Sequence, residues 1–250
     1  MTDNKYMIKP FGKGKNEGSV LAEAMRRLER AEEIPSAEPD SKPLANPNPK
    51  PATARGNLQG YIQLDSGIYM AKERILLGKN WFDCNKELLK QGLHMPTIPE
   101  FIEFLKYLRA NPSTENTEIY NQITEVRSPW RREWLDADFK MKGKELFINY
   151  NHILDSNGDL VPKNSEKLED CLMENKTPGI DLVDWINNAH NKYGIPTEKV
   201  KDGNLYYWAP GKDNNSVARF YANSDGADLY CDRNPSDSGG SLGVRAVRRA

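Results

Sequence analysis

The chain has 250 residues, with 35 Lys and Arg against 36 Asp and Glu, 38% hydrophobic residues and 3 Cys, room for one ordinary domain plus appendages. No run of 18 apolar residues occurs and the first eleven residues lack the apolar core of a signal peptide, so neither a membrane-spanning helix nor a cleaved leader is expected. A formal net charge of −1 excludes a strongly basic nucleic-acid binder, and three scattered cysteines (Cys84, Cys171, Cys231) without a CxxC pair argue against a disulfide scaffold and a structural zinc site.

Aromatic residues divide the chain. None lies between Gly12 and Gly60, and 21 of the 23 fall from Tyr61 onward, so the first 55 residues or so are not core. Within residues 1–34, Ser19 precedes Leu21, Ala24, Met25 and Leu28, the spacing of a single apolar helical stripe. So narrow a stripe is either a helix that docks on a partner or on itself, or a frayed arm, because isolated short helices are marginal in water. Residues 35–56 follow as a linker. Six of the seventeen residues from Pro35 to Pro51 are proline, which favours an extended, semi-rigid spacer.

Residues 57–250 are expected to form a mixed α+β domain with a core around Trp81, Trp130, Trp134, Trp185 and Trp208. Residues 58–64 and 67–71 read as a strand pair around Asp65-Ser66-Gly67. Thr97 and Glu100 form a capping box that opens an amphipathic helix ending at Asn111-Pro112. A second helix is expected over about 117–127. Trp130 and Trp134 share a face if their segment is helical, with the neighbouring arginines paired to Glu133, Asp136 or Asp138. Asn157-Gly158 predicts a hairpin between Glu145–Leu154 and Asp159–Val161. A third helix runs from Ile180 to Ala189 and closes near Gly194-Ile195-Pro196, with no helix after it.

Two motifs fail on their own chemistry. Asp155-Ser156-Asn157-Gly158-Asp159 with Glu166 has the oxygen spacing of a calcium loop, but Leu160 stands where the sharp turn needs Gly, so a hairpin turn is the better reading. Asp237-Ser238-Gly239-Gly240 looks like a serine-protease nucleophile loop. Only twelve residues follow Ser238, and His94, His152 and His190 sit in no general-base context. No catalytic constellation, metal site or cofactor is expected.

The last part of the chain has its own chemistry. Residues 205–208, 217–221 and 242–247 read as strands. Between Tyr221 and Ser241, fifteen of twenty-one residues are Asn, Ser, Asp, Gly or Tyr, the mixture that antibody loops use for adaptable contact; ordinary surface turns would also explain it. Alternation places Ala227, Leu229 and Cys231 on one face and Asp228, Tyr230, Asp232 and Asn234 on the other, outward face.

Ala218-Arg219-Phe220-Tyr221-Ala222, the polar segment around Cys231-Asp232-Arg233, and Ser241-Leu242-Gly243-Val244-Arg245-Ala246-Val247 together resemble the variable region of diversity-generating retroelement target proteins. Met95-Pro96-Thr97-Ile98-Pro99-Glu100-Phe101 and Arg127–Ala137 look like viral members of the group, the archaeal-virus variable protein being the nearest likeness. The resemblance covers residues 57–250, and its specific part is the C-terminal stretch. It implies a C-type lectin-like fold, related to formylglycine-generating enzymes, with a variable region over about 216–247. Such retroelements copy adenines with errors, which turns Asn codons into Ser, Asp, Gly and Tyr codons.

On this resemblance Asn223, Asp225, Asp228, Tyr230, Asp232, Asn234, Asp237 and Gly239 are the expected variable, ligand-contacting positions, and Leu229, Cys231, Leu242 and Val244 the fixed framework. The implied protein is a binding protein rather than an enzyme. It displays its surface at a viral attachment structure such as a tail fibre, after residence in the producing cell's cytoplasm, with residues 1–34 docking on a virion partner. Its ligand is a protein or surface receptor, with no nucleic acid as partner and no membrane span. A formylglycine-generating-type enzyme and an undiversified structural virion protein remain alternatives. Against the former, Cys231 lacks a cysteine partner; calcium-dependent sugar binding is not implied, since Glu-Pro-Asn and Gln-Pro-Asp are absent. The excess of Asp over Arg between residues 213 and 241 suggests a basic or hydrogen-bonding ligand.

Overall fold

A computed structural model describes residues 58–125, 130–188, 190–224 and 226–249, with only the backbone of Lys176. The expected arm, the whole linker, Val126 to Pro129, Ala189 and Asp225 lie outside the described residues. The chain folds as α+β. A 3-10 turn (Leu58–Gly60) leads into β1 (Tyr61–Gln63) and β2 (Tyr69–Ile75), which pair antiparallel with Tyr61 opposite Ala71. The turn between them is closed by Leu64 N–H donating to Ile68 O and Gly67 N–H donating to Leu64 O, both at 2.9 Å.

Two helices follow. The first, α1 (Trp81–Lys90), has no counterpart in the sequence expectations, although its signals are present. Asn80 caps it by accepting from Asp83 N, and Trp81, Cys84 and Leu88 form one buried stripe. The second, α2 (Ile98–Ala110), carries the expected capping box and buries Ile98, Phe101, Ile102, Phe104, Leu105 and Leu108; each such side chain contributes roughly 1.5–3 kcal/mol on burial. Helix α3 (Thr114–Thr124) starts earlier than expected because Ser113 Oγ accepts from Asn116 N at 3.0 Å.

Residues Arg131–Lys142 form a strand, β3, which settles the open question about this segment against a helix. Trp134 is fully buried, whereas Trp130 is 47% exposed rather than a core anchor. The expected ion pairs also differ. Glu133 binds Arg245, Asp136 binds His152, and Asp138 binds Lys140; none of them takes Arg131 or Arg132. Glu133 and Asp136 are taken by Arg245 and His152 from other strands, partners that spacing within this segment cannot identify.

Strands β4 (Glu145–Leu154) and β5 (Leu160–Lys167) form the expected hairpin, with Gly158 at φ 81° in its turn. Strand β6 (Lys176–Ile180) precedes α4 (Leu182–Asn188), whose Trp185 donates through Nε1 to Gly194 O at 2.8 Å. Strands β7 (Leu205–Trp208), β8 (Ser216–Ala222), β9 (Ala227–Arg233) and β10 (Leu242–Arg248) complete the described elements. They join one sheet in the order β1-β2-β10-β3-β8-β9-β7-β6, with β4 and β5 branching from β3. The β3–β10 and β7–β9 pairs are parallel.

The sheet has two unlike faces. On one, Ala218 and Phe220 of β8 and Leu229 and Cys231 of β9 pack with Phe101, Phe104 and Trp185 from the helices. Phe220 stacks on Trp185 with centroids 6.0 Å apart and lies 5.2 Å from Phe101. On the other, Leu242, Val244 and Ala246 of β10 and Trp134 of β3 pack with Trp81, Cys84 and Leu88 of α1. That cluster covers the β10–β3 end. The residues that β8, β9 and β7 direct to the same face form the candidate site.

Candidate ligand-binding face

Period-two alternation builds this face. Arg132 of β3, Arg219 and Tyr221 of β8, Asp228, Tyr230 and Asp232 of β9, and Tyr206 and Trp208 of β7 all project from it, opposite the residues buried against the helices. Register makes them neighbours: Arg219 pairs with Tyr230, Tyr221 with Asp228, and Trp208 with Tyr230. The Trp208 and Tyr230 rings stack, 5.4 Å apart and 9° from parallel. Tyr230 approaches Tyr221 at 6.4 Å, and Tyr221 meets the exposed Trp130 edge-on at 6.1 Å.

Three guanidiniums lie over this aromatic row. Arg233 Cζ is 4.4 Å from the Tyr230 centroid, Arg219 Cζ is 5.1 Å from the same ring, and Arg132 Cζ is 4.9 Å from Tyr221. Arg233 is also paired with Asp232 at 2.8 Å. Arg219 is only 5% exposed, and its Nε has no hydrogen-bond partner. Burial, followed by the nearby charges of Arg132 and Arg233, holds its pKa down to about 10. Its carboxylate neighbour is Asp237, 3.7 Å from Nη1.

The expected variable positions fall into different places. Tyr230 and Asp232 are on the face, half-buried. Asp228, expected to point outward to solvent, is only 2% exposed. It accepts from Trp208 Nε1 at 3.2 Å and from Asn223 Nδ2 at 2.7 Å, so it ties the β8–β9 turn to β7. Solvent is shut out because the large rings of β7 and β8 flank it. Asn223 is at that turn, its N–H donating to Gly226 O, and Asp225 lies outside the described residues.

Asn234, Asp237 and Gly239 are on the β9–β10 connection. Asn234 is exposed and its Oδ1 accepts from Ser236 N, and a Cβ built on Gly239 meets nothing within 4 Å. Pro235 O accepts from Trp81 N at 3.0 Å and pins this loop to α1. The four framework residues Leu229, Cys231, Leu242 and Val244 are all fully buried. Burial pushes the Cys231 thiol well above its usual range, which keeps it protonated at neutral pH.

The acid-rich composition does not become an acidic surface. Asp228 is occupied inside the fold and Asp232 by Arg233, while three arginines share the face. Arg132, Arg219, Tyr221 and Trp208 were absent from the sequence-derived site. For Arg219 and Tyr221 the signal was the alternation itself, extended from 227–234 to Val217–Tyr221, whereas Arg132 and Trp208 join the face only through strand pairing.

A second concavity of about 360 Å³ lies between the start of α2, β4 and Tyr193. Its polar lining is already paired. Arg249 donates to Glu100 and Asn151, and Glu166 accepts from Tyr150, Tyr193 and Lys192. Beside it, His152 and Asp136 form a buried pair, with Trp81 edge-on to the imidazole at 5.0 Å. Among the described residues no group of three or more His, Cys, Asp or Glu is placed to hold a metal ion. No described helix is long and apolar enough to cross a membrane.

No protein-family model and no solved structure matches the chain. Over 106 residues, 42% of the chain, it is 26% identical to an uncharacterized 36.3 kDa protein from the nrdC-mobD intergenic region of Enterobacteria phage T4. The match spans about a third, 32%, of that phage protein.

Proposed function

We propose that the protein is a viral ligand-binding display protein, a diversity-generating retroelement target with a C-type lectin-like domain whose variable residues lie on and beside the β7–β8–β9 face. One observation carries this reading. The Asn/Ser/Asp/Gly/Tyr-rich segment alternates between residues locked into the core and residues on the β7–β9 part of a sheet face, which the described helices leave uncovered. A surface that changes between variants needs a scaffold independent of the changing residues. Leu229, Cys231, Leu242 and Val244 supply one, while Tyr230, Asp232, Asn234, Asp237 and Gly239 remain at least partly accessible. The partial likeness to a phage protein agrees with a viral setting.

The test is genomic. The DNA flanking the gene should hold a near copy of the segment encoding residues 216–247, differing at template adenines, beside a reverse transcriptase gene. Sequencing of independent isolates should then find substitutions at Tyr230, Asp232, Asn234, Asp237 and Gly239, and none at Leu229 or Val244. Absence of the repeat overturns the hypervariation.

A further inference from the structure

We propose that Arg132 and Arg219 form an anion-binding site on this face, kept closed by the carboxylate of Asp237 and opened when a ligand carboxylate or phosphate takes that carboxylate's place. The inference rests on the reading of this face as the ligand-binding surface and gives it a ligand chemistry.

Arg219 has lost its hydration without gaining hydrogen bonds. It is 5% exposed, its Nε is unpartnered, and its neighbours are the rings of Trp134, Tyr221 and Tyr230 with centroids 5.1–5.7 Å away. Aromatic faces attract the charge but are no substitute for the oxygen acceptors that guanidinium N–H groups prefer. Arg132 is half-buried and shares part of that condition. Its Nε is buried and unpartnered, and no described carboxylate forms an ion pair with it. Two neighbouring guanidiniums over the Tyr221 ring, each with a buried Nε that has no partner, suit an oxyanion that can accept from several N–H groups at once.

Asp237 is an incomplete counter-ion. At 3.7 Å from Nη1 it is beyond hydrogen-bond length, and its side chain is 43% exposed. Its backbone N–H donates to Asn234 O within the β9–β10 connection, so the carboxylate is carried by a loop rather than by the sheet. The other carboxylates of the face have nearer partners: Asp228 holds Trp208 and Asn223, and Asp232 holds Arg233. The unspent capacity here is therefore cationic, the reverse of what the count of acids suggests.

The experiment titrates the full chain, labelled with ¹⁵N at arginine, with inorganic phosphate and separately with acetate at fixed ionic strength, following the Nε–Hε resonances. Arg219 is assigned by its absence in Arg219→Lys. Saturable shifts of Arg132 and Arg219 are expected, with Asp237→Asn binding roughly two- to fivefold tighter, the range that loss of one exposed ion pair permits. Arg219→Gln should abolish saturation at Arg132. Response to phosphate alone identifies a phosphorylated ligand, to acetate alone a carboxylate, and to both the shared chemistry. If Arg219→Gln fails to fold, Asp237→Asn decides by itself, because its site is on an exposed loop. No saturable shift in the native chain and in Asp237→Asn, or equal affinity in both, overturns the proposal. A silent titration beside a genuine template repeat removes only the anion site; anion binding without the repeat removes only the hypervariation.

Discussion

Asp228 and Gly239 stood together as expected variable positions, yet the fold treats them differently. Asp228 is buried beside Trp208 and accepts from two side chains of different elements, whereas Gly239 has open space around it. Asp228→Ala removes the acceptor of both bonds and should cost about 1–3 kcal/mol in urea denaturation, the penalty for stranding buried donors. Gly239→Asn should stay within about 0.5 kcal/mol of the native chain, as surface substitutions do. A stability loss at Gly239 equal to that at Asp228 would contradict this assignment. Alternation predicted the direction in which Asp228 points. It could not report that Trp208 and Tyr221 stand on either side of it, because those neighbours come from other strands.

Among elements, β10 has the most demanding position. It lies between β2, with which it is antiparallel, and β3, with which it shares a short parallel register at Leu242–Arg132 and Gly243–Glu133. Gly243 is closely packed there: a Cβ would sit 3.1 Å from Ile75 O and 2.7 Å from the far end of the exposed Leu77 side chain. Arg245 ties the three strands. Its Nε and Nη2 donate to Glu133 at 2.7 and 2.9 Å, and Nη1 reaches Ala71 O and Lys72 O on β2. Both partners are almost wholly buried. Glu133→Gln, which leaves the guanidinium without its counter-charge, should therefore destabilise by about 3–5 kcal/mol. The double replacement Glu133→Leu with Arg245→Met should recover most of that in the same denaturation assay, because it removes both charges together. The Gly-Val-Arg sequence marks β10 as a strand, but nothing local to it identifies Glu133, 112 residues away, as the partner.

At the scale of the whole molecule, pH acts through groups that join distant segments. Glu166 on β5 accepts from Lys192, Tyr150 and Tyr193. These hydrogen bonds, with that from Lys192 foremost, lower its pKa from 4.5 to about 2. A carboxylate depressed in the folded state stabilises above its unfolded value, and this contribution disappears as pH falls from 4.5 to about 2. The melting temperature of the native chain should thus fall more steeply over that window than that of Glu166→Gln, and salt should narrow the difference because the network is solvent-exposed. Parallel profiles for the two proteins would show that the network does not link protonation to folding.

What the sequence determined by itself was local. The capping box at Thr97, the Asn-Gly hairpin, the strands at 205–208, 217–221 and 242–247 and the buried face of Ala227, Leu229 and Cys231 all follow from short-range periodicity and turn chemistry, and the structure contains them. Only the tertiary structure decided which strands are neighbours, and with that which charges meet. Strand register brings Arg219 beneath Tyr230 and within reach of Asp237, and it withdraws Asp228 from solvent. The physical reason is one of range: alternation is a property of a single strand, while desolvation and pairing of charge depend on side chains supplied by strands far apart in sequence.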